Sequence, residues 1–337
     1  MSKKVSLSLM PNHRHLFSII IVNYKTYQFL NDCLISIKKS DYHSFETIVF
    51  DNSSQAQEIN KLKKQFPGVK FITTKKNLGF VTASNRAAKI ASGQFLFFLN
   101  PDTKIHPHCL SLLAKKLFPL AACKIKNYQG TLTHHCGIGL DILGFPVVNP
   151  KKIFYAEGSA LFISKKLFSR LKGFDSQYFM FHEDVDLCWR AQLLGFPIKA
   201  IKQAIVYHAV GISAGGTTPS KKQSYQTSLL RRYYSERNNI RTLLKNYSSL
   251  TLLFILPLYL LHNLFEFIFF ILTLKAKIIY YYLKAYLWNL VHLSSTLKLR
   301  YHVQKTRQIS DWQILRRLSF TSGKFVNLLK LGIPRFK

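Results

Sequence analysis

Carboxylates are scarce in this chain. Its 337 residues hold 15 Asp and Glu against 48 Lys and Arg, a formal charge of +33. Such an excess calls for a polyanionic setting, either nucleic acid or an anionic membrane surface. Cysteine is also sparse: the five residues at 33, 109, 123, 136 and 188 are odd in number and form no CxxC. That pattern speaks against a disulfide frame or a zinc site and predicts reduced thiols in a cytosolic compartment. No GxGxxG follows the first apolar run and no GxxxxGK[ST] occurs. An ordinary Rossmann dehydrogenase and a P-loop kinase are therefore disfavoured. The opening "MSKKVSLSLMPNHRHLFS" has no apolar h-region, so no secretory signal is expected. What the chain does have is apolar residues, 48% of the total, which excludes a mainly disordered polymer. Its length suits one large α/β domain with an appendage, or two smaller domains.

The first hundred residues alternate between strand and helix patterns. "LFSIIIVNY" (16–24) is a continuous apolar run of strand length, as in a buried parallel strand. A helical pattern follows over 28–40, then a strand, "FETIVFDNSS" (45–54), and a polar helix over 55–66. "VKFITT" (69–74) is a third strand, and "NLGFVTASNRAAKIASG" (77–93) is loop, helix and closing glycine before a fourth strand, "QFLFFLNPD" (94–102). This order predicts a parallel sheet with right-handed crossovers. Ligands in such sheets sit beyond the carboxyl ends of the strands. Here those ends carry Asn23, Asp51 with Asn52, and Asn100 with Asp102. A strand-end acid such as Asp51 can accept hydrogen bonds from a ribose or a base, or cap the next helix. Asp102 can hold a divalent cation that also touches a diphosphate, or simply sit in a turn after Pro101.

Against this thin acidic background, "FMFHEDVDLCWRAQLLG" gathers Glu183, Asp184 and Asp186 within four residues. Like charges that close mark either a helix N-terminus or a place that handles protons and cations. Asp186 also stands at the i,i+4 spacing that pairs it with Arg190.

Five stretches in this order, "SIIIVNYKTYQFLNDCLISI", "IVFDNSS", "NLGFVTASNRAAKIASGQFLFFLNPDT", "EGSALFISKKLFSRLKGFD" and "FMFHEDVDLCWRAQLLGF", resemble the family 2 glycosyltransferases. They look most like the rhamnosyltransferase-like branch that builds cell-surface polysaccharide. The resemblance covers about 16–245 and implies a GT-A fold: Rossmann-like α/β, with a mostly parallel central sheet and helices on both faces. It also implies a nucleotide-diphosphate sugar donor, a divalent cation (Mg²⁺ or Mn²⁺) and an inverting transfer, with rhamnose as a candidate sugar. By the same resemblance Asp51 contacts the nucleoside, and Asn23, Asn52, Asn77, Gly79, Asn85 and Asn100 belong to the nucleotide-sugar site. Asp102 matches the last Asp of the metal-binding DxD motif, whose first position is Asn100 here. Gly158 and Ser159 fall in the glycine loop before the acceptor site. Asp184 takes the catalytic-base position with Glu183 beside it, and His208 completes the metal or diphosphate contacts. Arg237 and Asn238, in "YYSERNNIRTLLKN", match a pattern that can contact diphosphate or acceptor.

Elementary chemistry asks for the same arrangement. Single displacement at an anomeric carbon needs a base opposite the leaving diphosphate, and the leaving group needs positive charge. Two acidic sites must then face the sugar from different sides, as "NPD" and "HED" can. "THHCG" (133–137) is expected to be a surface loop, because three adjacent residues cannot converge on one ion. "NHRH" (12–15) is expected to be solvated lead-in.

The tail accounts for the charge. "TLLFILPLYLLHNLFEFIFFILTL" (251–274) is long and apolar enough to cross a bilayer, yet Pro257, His262, Asn263 and Glu266 interrupt it. Basic residues crowd both flanks, which conflicts with the positive-inside bias of a single span. In-plane helices on the cytoplasmic leaflet are expected, each nearby Lys or Arg contributing about 1 kcal/mol at an anionic surface. The expected division is a basic lead-in (1–15), a catalytic domain (16–245) and a membrane-association region (246–337). The expected location is the cytoplasmic face of the cell membrane, peripheral or monotopic, with a single span as the alternative. The acceptor is expected to be a glycan or a polyprenyl-diphosphate-linked glycan, and nucleic acid is not an expected partner. A processive polysaccharide synthase would share the first motifs but should carry QxxRW and several spans. A nucleic-acid-binding protein would explain the charge but not the acids, and a nucleotidyltransferase would show a Gly-rich, Arg-bearing loop near the N-terminus.

Overall fold

The computed structural model describes residues 15–53, 55–147, 152–209, 226–331 and 335–336. The lead-in up to residue 14 lies outside them. The first half follows the expected alternation: β1 (Phe17–Asn23), α1 (Tyr27–Lys38), β2 (Phe45–Asp51), α2 (Ala56–Gln65), β3 (Val69–Thr73), α3 (Gly79–Ile90) and β4 (Phe95–Leu99). All seven residues of β1 are buried. Ile19 and Ile21 enter the core on one face of the sheet, while Ile20 and Val22 enter the core on the other. That two-sided burial is why the strand reads as an unbroken apolar run.

The chain continues through β5 (Thr103–Ile105), α4 (Cys109–Ala114), β6 (Leu120–Asn127) and β7 (Thr133–His135). A small hairpin, β8 (Gly139–Leu140) and β9 (Pro146–Val147), precedes β10 (Ala160–Ser164), α5 (Lys165–Arg170), α6 (Glu183–Leu193) and β11 (Lys199–His208). The main sheet has the order β3-β2-β1-β4-β10-β6-β11-β5, with β7 added on β6. Strands β1 to β4 pair in parallel. Beyond them β10 runs antiparallel to β4 and β6, and β11 runs parallel to β6 and antiparallel to β5. The parallel half is the part joined by strand–helix–strand crossovers, which parallel neighbours need.

Register then assembles the sheet's working edge. Asn23 stands opposite Asp51, Ala160 opposite Leu99, and His208 opposite Thr103. The ends of β1 and β2, the turns after β4 and before β10, and the end of β11 are thereby gathered along one rim.

The second part is helical: β12 (Gln226–Thr227), α7 (Leu229–Asn246), α8 (Ser249–Leu272), α9 (Ala276–Val291), α10 (Leu293–Thr306), α11 (Asp311–Leu315), α12 (Gly323–Leu331) and β13 (Arg335–Phe336), which pairs with β12. Serine side chains cap the starts of α7 and α8, where Ser228 and Ser248 accept from the backbone N–H groups of Arg231 and Thr251. Helix α7 is polar in sequence yet largely buried, because it lies between the sheet domain and α8–α10. Its Arg241 and Lys245 meet the buried Asp175, and Lys245 also meets Asp186 at 2.9 Å. The chain returns from α11 to the sheet domain: Asp141 accepts from the Gly323 N–H (2.7 Å), and Arg317 donates to Gln192 (2.9 Å).

Helix α8 has the length and composition of a membrane span. Its polar residues face inward. Asn263 donates to Glu236 of α7 (2.8 Å), and Glu266 pairs with Lys324 of α12 (2.9 Å) and with Arg232 of α7. The opposite face exposes Leu253, Phe254, Leu261, Leu264 and Phe265, and the neighbouring α9 exposes Leu283, Leu287 and Leu290.

Candidate active site

The rim begins at β1 and β2. The Asn23 amide donates to Asp51 Oδ1 (2.7 Å), and the Ser53 hydroxyl donates to the same oxygen (2.8 Å). Asp51 and Asn23 are both fully buried, so the acid is oriented by neutral donors rather than by a cation. Asn52 bridges to the next element: its amide donates to the Gly79 carbonyl (3.1 Å) and its oxygen accepts from the Leu78 N–H (3.3 Å). The Asn77 side chain accepts from the Gly79 N–H (2.9 Å). Gly79 has φ +77°, and a Cβ there would stand 2.5 Å from the Phe179 carbonyl, so only glycine lets α3 approach the 177–182 loop. Asn85 lies further along α3. Its amide group exchanges hydrogen bonds with the Phe174 backbone at 2.9 and 3.0 Å, holding the turn beside Gly173.

The second patch lies where β4, β10 and β11 meet. The Asn100 N–H donates to the Ser159 carbonyl (3.1 Å), which brings the "NPD" turn beside the glycine loop. The Asp102 carboxylate is buried, with His208 Nε2 3.4 Å from its Oδ1. Burial works against protonation of His208, but the adjacent Asp102 carboxylate, together with Glu157, raises its pKa. His135 was expected on a surface loop. Instead it belongs to β7, is largely buried, and places Nε2 3.2 Å from Glu157 Oε2. Pairing with β6 turns the ring inward, a long-range effect invisible in "THHCG". Burial opposes ionisation of Glu157, yet the close His135 imidazole and the charge of His208 hold its carboxyl at about 2. Glu157 escaped the sequence reading. An acid immediately before Gly158, in a chain so poor in acids, was the available signal.

The third patch is the start of α6. Phe181 and His182 both have positive φ (66° and 64°), a conformation that costs about 1–3 kcal/mol per non-glycine residue. Asn238 stabilises it, its amide donating to the carbonyls of Met180 (2.9 Å) and Phe181 (2.7 Å). This reversal presents Asp184 to the glycine loop, where its Oδ2 accepts from the Gly158 N–H (2.9 Å) and its Oδ1 from the Val185 N–H (2.8 Å). A Cβ at Gly158 would lie 3.3 Å from Glu183 and 3.6 Å from Asp184, so the loop has little room for a side chain.

The three acids of "HEDVD" have separate fates. Asp186 is fully buried and pairs with Arg190 at 2.8 Å, as its i,i+4 spacing predicts. Glu183 is buried, and among the described residues its Oε2 meets no hydrogen-bond partner. Burial, then the neighbouring Asp184, pushes its carboxyl well above the usual carboxylate range. Asp184 is half-buried. Burial raises it to about 6, against the pull of the Gly158 and Val185 amides. Asp184 is therefore the acid of the three that combines access with a pKa suited to taking a proton near neutrality. Glu157 acts on both Asp184 and His208, so the second and third patches share one electrostatic environment.

Arg237 and Asn238 sit behind this rim. Arg237 lies against Trp288 (4.2 Å to the ring centre) and donates to the Gln177 carbonyl (3.1 Å). Both residues are buried and engage the backbone of the 177–181 loop.

Among the described residues, no three His, Cys, Asp or Glu side chains form a group able to hold a metal ion. Asp102 and His208 offer one oxygen and one nitrogen. That donor set fits a hard divalent cation that takes its remaining ligands from diphosphate oxygens and water.

Residues 18–122 match the model of the family described as "Glycosyl transferase family 2". Over that segment the chain is similar to the family 2 glycosyltransferases. The matched segment holds the Asn23–Asp51 edge and the "NPD" turn. Over 212 residues the chain is 24% identical to the amylovoran biosynthesis glycosyltransferase AmsB of Erwinia amylovora, covering 58% of this chain and 70% of that protein. Over 249 residues it is 23% identical to the N-acetylglucosaminyl-diphospho-decaprenol L-rhamnosyltransferase of Mycobacterium tuberculosis, covering 62% and 81%. The crystal structure of GalNAc-T7 with UDP, GalNAc and Mn²⁺ superposes with a TM-score of 0.53 at 15% identity. That superposition covers 67% of this chain and 48% of GalNAc-T7, and it shows a shared GT-A fold.

Proposed function

We propose that the chain moves a sugar, with rhamnose as the candidate, from a nucleotide-diphosphate donor to a lipid-linked or glycan acceptor, with inversion at the anomeric carbon. The observation that carries this reading is the shared environment of Asp102–His208, Glu157 and Asp184 along one sheet edge, beside the buried Asp51. In this reading Asp51, Asn23 and Asn52 orient the nucleoside end of the donor. Asp102 and His208 would hold the divalent cation, which supplies positive charge to the departing diphosphate when bound. Asp184 takes the proton from the acceptor hydroxyl as its oxygen bonds to the anomeric carbon. The bond from that carbon to the diphosphate oxygen breaks, and the nucleotide diphosphate leaves with the electron pair. Burial and the neighbouring Asp184 push the Glu183 carboxyl upward, which favours a single negative charge on the pair. The GalNAc-T7 complex with UDP and Mn²⁺ supports the donor and metal classes, and the mycobacterial relative's name supports a lipid diphosphate acceptor.

We also infer that 16–245 forms the catalytic part and 246–337 its membrane-association region, lying in the plane of the cytoplasmic leaflet. The support is the inward pairing of Asn263 and Glu266, which leaves α8 with one apolar face, and the basic residues that surround it. An in-plane helix needs such two-sidedness, whereas a lone span would expose those polar groups to lipid. The test of the activity is a panel of nucleotide sugars incubated with a lipid-linked glycan acceptor and Mg²⁺ or Mn²⁺. Acceptor-dependent release of nucleotide diphosphate from one donor is expected, and its absence across the panel would overturn the reading.

A further inference from the structure

The rim that carries Asp184 continues outward into a strip of aromatic and cationic side chains. Arg231, half-buried on α7, lies over the Phe181 ring at 5.2 Å, three residues before Asp184. It is close enough to the catalytic rim to share an electrostatic neighbour with Asp184, the buried Tyr155. Beside it Tyr234 stacks on Phe179, ring centres 5.3 Å apart. Lys284 of α9, exposed, lies over Tyr233 at 5.4 Å and acts on Tyr234 as well. Lys284 stands between Leu283 and Leu287 of the exposed apolar face of α9.

Arg231 and Lys284 differ from most other cations of α7, and the remaining unpaired one, Arg237, is buried and engaged by Trp288 and the Gln177 carbonyl. Arg232, Arg241 and Lys245 are each matched to a carboxylate. All 15 Asp and Glu of the chain lie among the described residues, and none of them forms an ion pair with Arg231 or Lys284. An arginine laid on an aromatic face keeps its planar fork of donors available for a phosphate, and a lysine adds a point charge.

We propose that Arg231, at the base-bearing rim, and Lys284, at the apolar face, bind the anionic diphosphate head of a lipid-linked acceptor, whose tail then lies along α9. This rests on the transfer reading above and adds a subsite to it. The head would hold the acceptor sugar near Asp184 while the hydrocarbon stays against the membrane-facing helices.

The chemistry recognised is a diphosphate, and the donor carries one too, so the experiment must separate the two sources. Full-length protein in nonionic micelles is titrated with a polyprenyl diphosphate, with the polyprenyl alcohol of equal length, and with nucleotide diphosphate. The wild type is expected to prefer the lipid diphosphate to the alcohol by at least about tenfold, the worth of one or two charge-assisted hydrogen bonds. In the double variant Arg231→Gln, Lys284→Gln that preference should collapse while nucleotide diphosphate affinity holds, and Arg231→Lys alone should retain part of it. An unchanged melting temperature excludes misfolding as the cause. A wild type that does not distinguish lipid diphosphate from alcohol overturns the proposal. A variant that weakens nucleotide diphosphate as much as lipid diphosphate also overturns it, assigning the cations to the donor. Transfer measured on the same samples keeps the two readings apart. If these cations select the lipid diphosphate but no donor releases its nucleotide, the subsite stands and the transferase reading falls.

Discussion

Two groups of acids in this protein are treated in opposite ways. Around α7, Asp175 is gripped by Arg241 and Lys245, Asp186 by Arg190 and Lys245, and Glu266 by Arg232 and Lys324. Along the sheet edge the partners are neutral or weakly basic: Asn23 and Ser53 for Asp51, His208 for Asp102, His135 for Glu157, and backbone amides for Asp184. With 48 Lys and Arg in the chain, such a division is not what composition alone would produce. A carboxylate locked to a guanidinium is a structural element with no proton or ligand exchange to offer. One oriented by amides or imidazoles remains able to take a proton or share a cation that arrives with a substrate.

Exchanging charge for shape within each group tests the division. Asp184→Asn keeps the side chain's outline but removes its basicity, so kcat should fall by about two to four orders of magnitude, the usual worth of a general base, with donor binding little changed. If Glu183→Gln is the crippling change and Asp184→Asn is mild, the base is Glu183. Asp175→Asn belongs to the other group and should act on folding, costing about 3–5 kcal/mol because it strands the buried Arg241 and leaves Lys245 with Asp186 alone. Burial opposes ionisation of Asp175, but Lys245 and Arg241 hold its carboxyl well below the usual range. Its stabilisation is therefore present above the unfolded carboxylate pKa of about 4 and lost as pH falls below it, which denaturant titration at two pH values will measure.

The depth to which these groups could be read in advance follows from the range of the contacts. The four parallel strands, their polar ends and the Asp186–Arg190 pair all rest on local periodicity or short spacing, and the structure has them where the sequence places them. The grip of Asn238 on Met180 and Phe181 spans 58 and 57 residues, and the approach of His135 to Glu157 depends on β7 joining β6. No pattern in a single stretch encodes such contacts. Helix α7 reads as a basic helix in sequence, and its burial comes from the packing of α8–α10 against it.

A third substitution asks whether Asp102 belongs to the exchanging group. Asp102→Ala should lower Mg²⁺- or Mn²⁺-dependent transfer by at least about a hundredfold, since changes merely behind a metal's ligands already cost 10- to 100-fold. Transfer that is indifferent to EDTA, with a normal Asp102→Ala variant, would leave neutralisation of the diphosphate to a Lys or Arg. A smaller effect is expected at the membrane face. Replacing the exposed Leu253 and Leu264 by Glu should weaken binding to anionic vesicles by about tenfold or more through lost apolar burial, while added salt weakens the wild type only partly. Protease protection that finds residues beyond 275 only on the side opposite the catalytic part would establish a single span instead.

The central claim is that Asp184 is the group whose ionisation limits transfer, and the pH dependence of kcat tests it most directly. Asp184 is raised to about 6, so wild-type kcat should fall roughly tenfold per unit as pH drops below that value and level off above it. In Asp184→Asn the residual rate should no longer show that acidic limb. The same limb persisting in the variant would contradict the account, because the titrating base would then be another group.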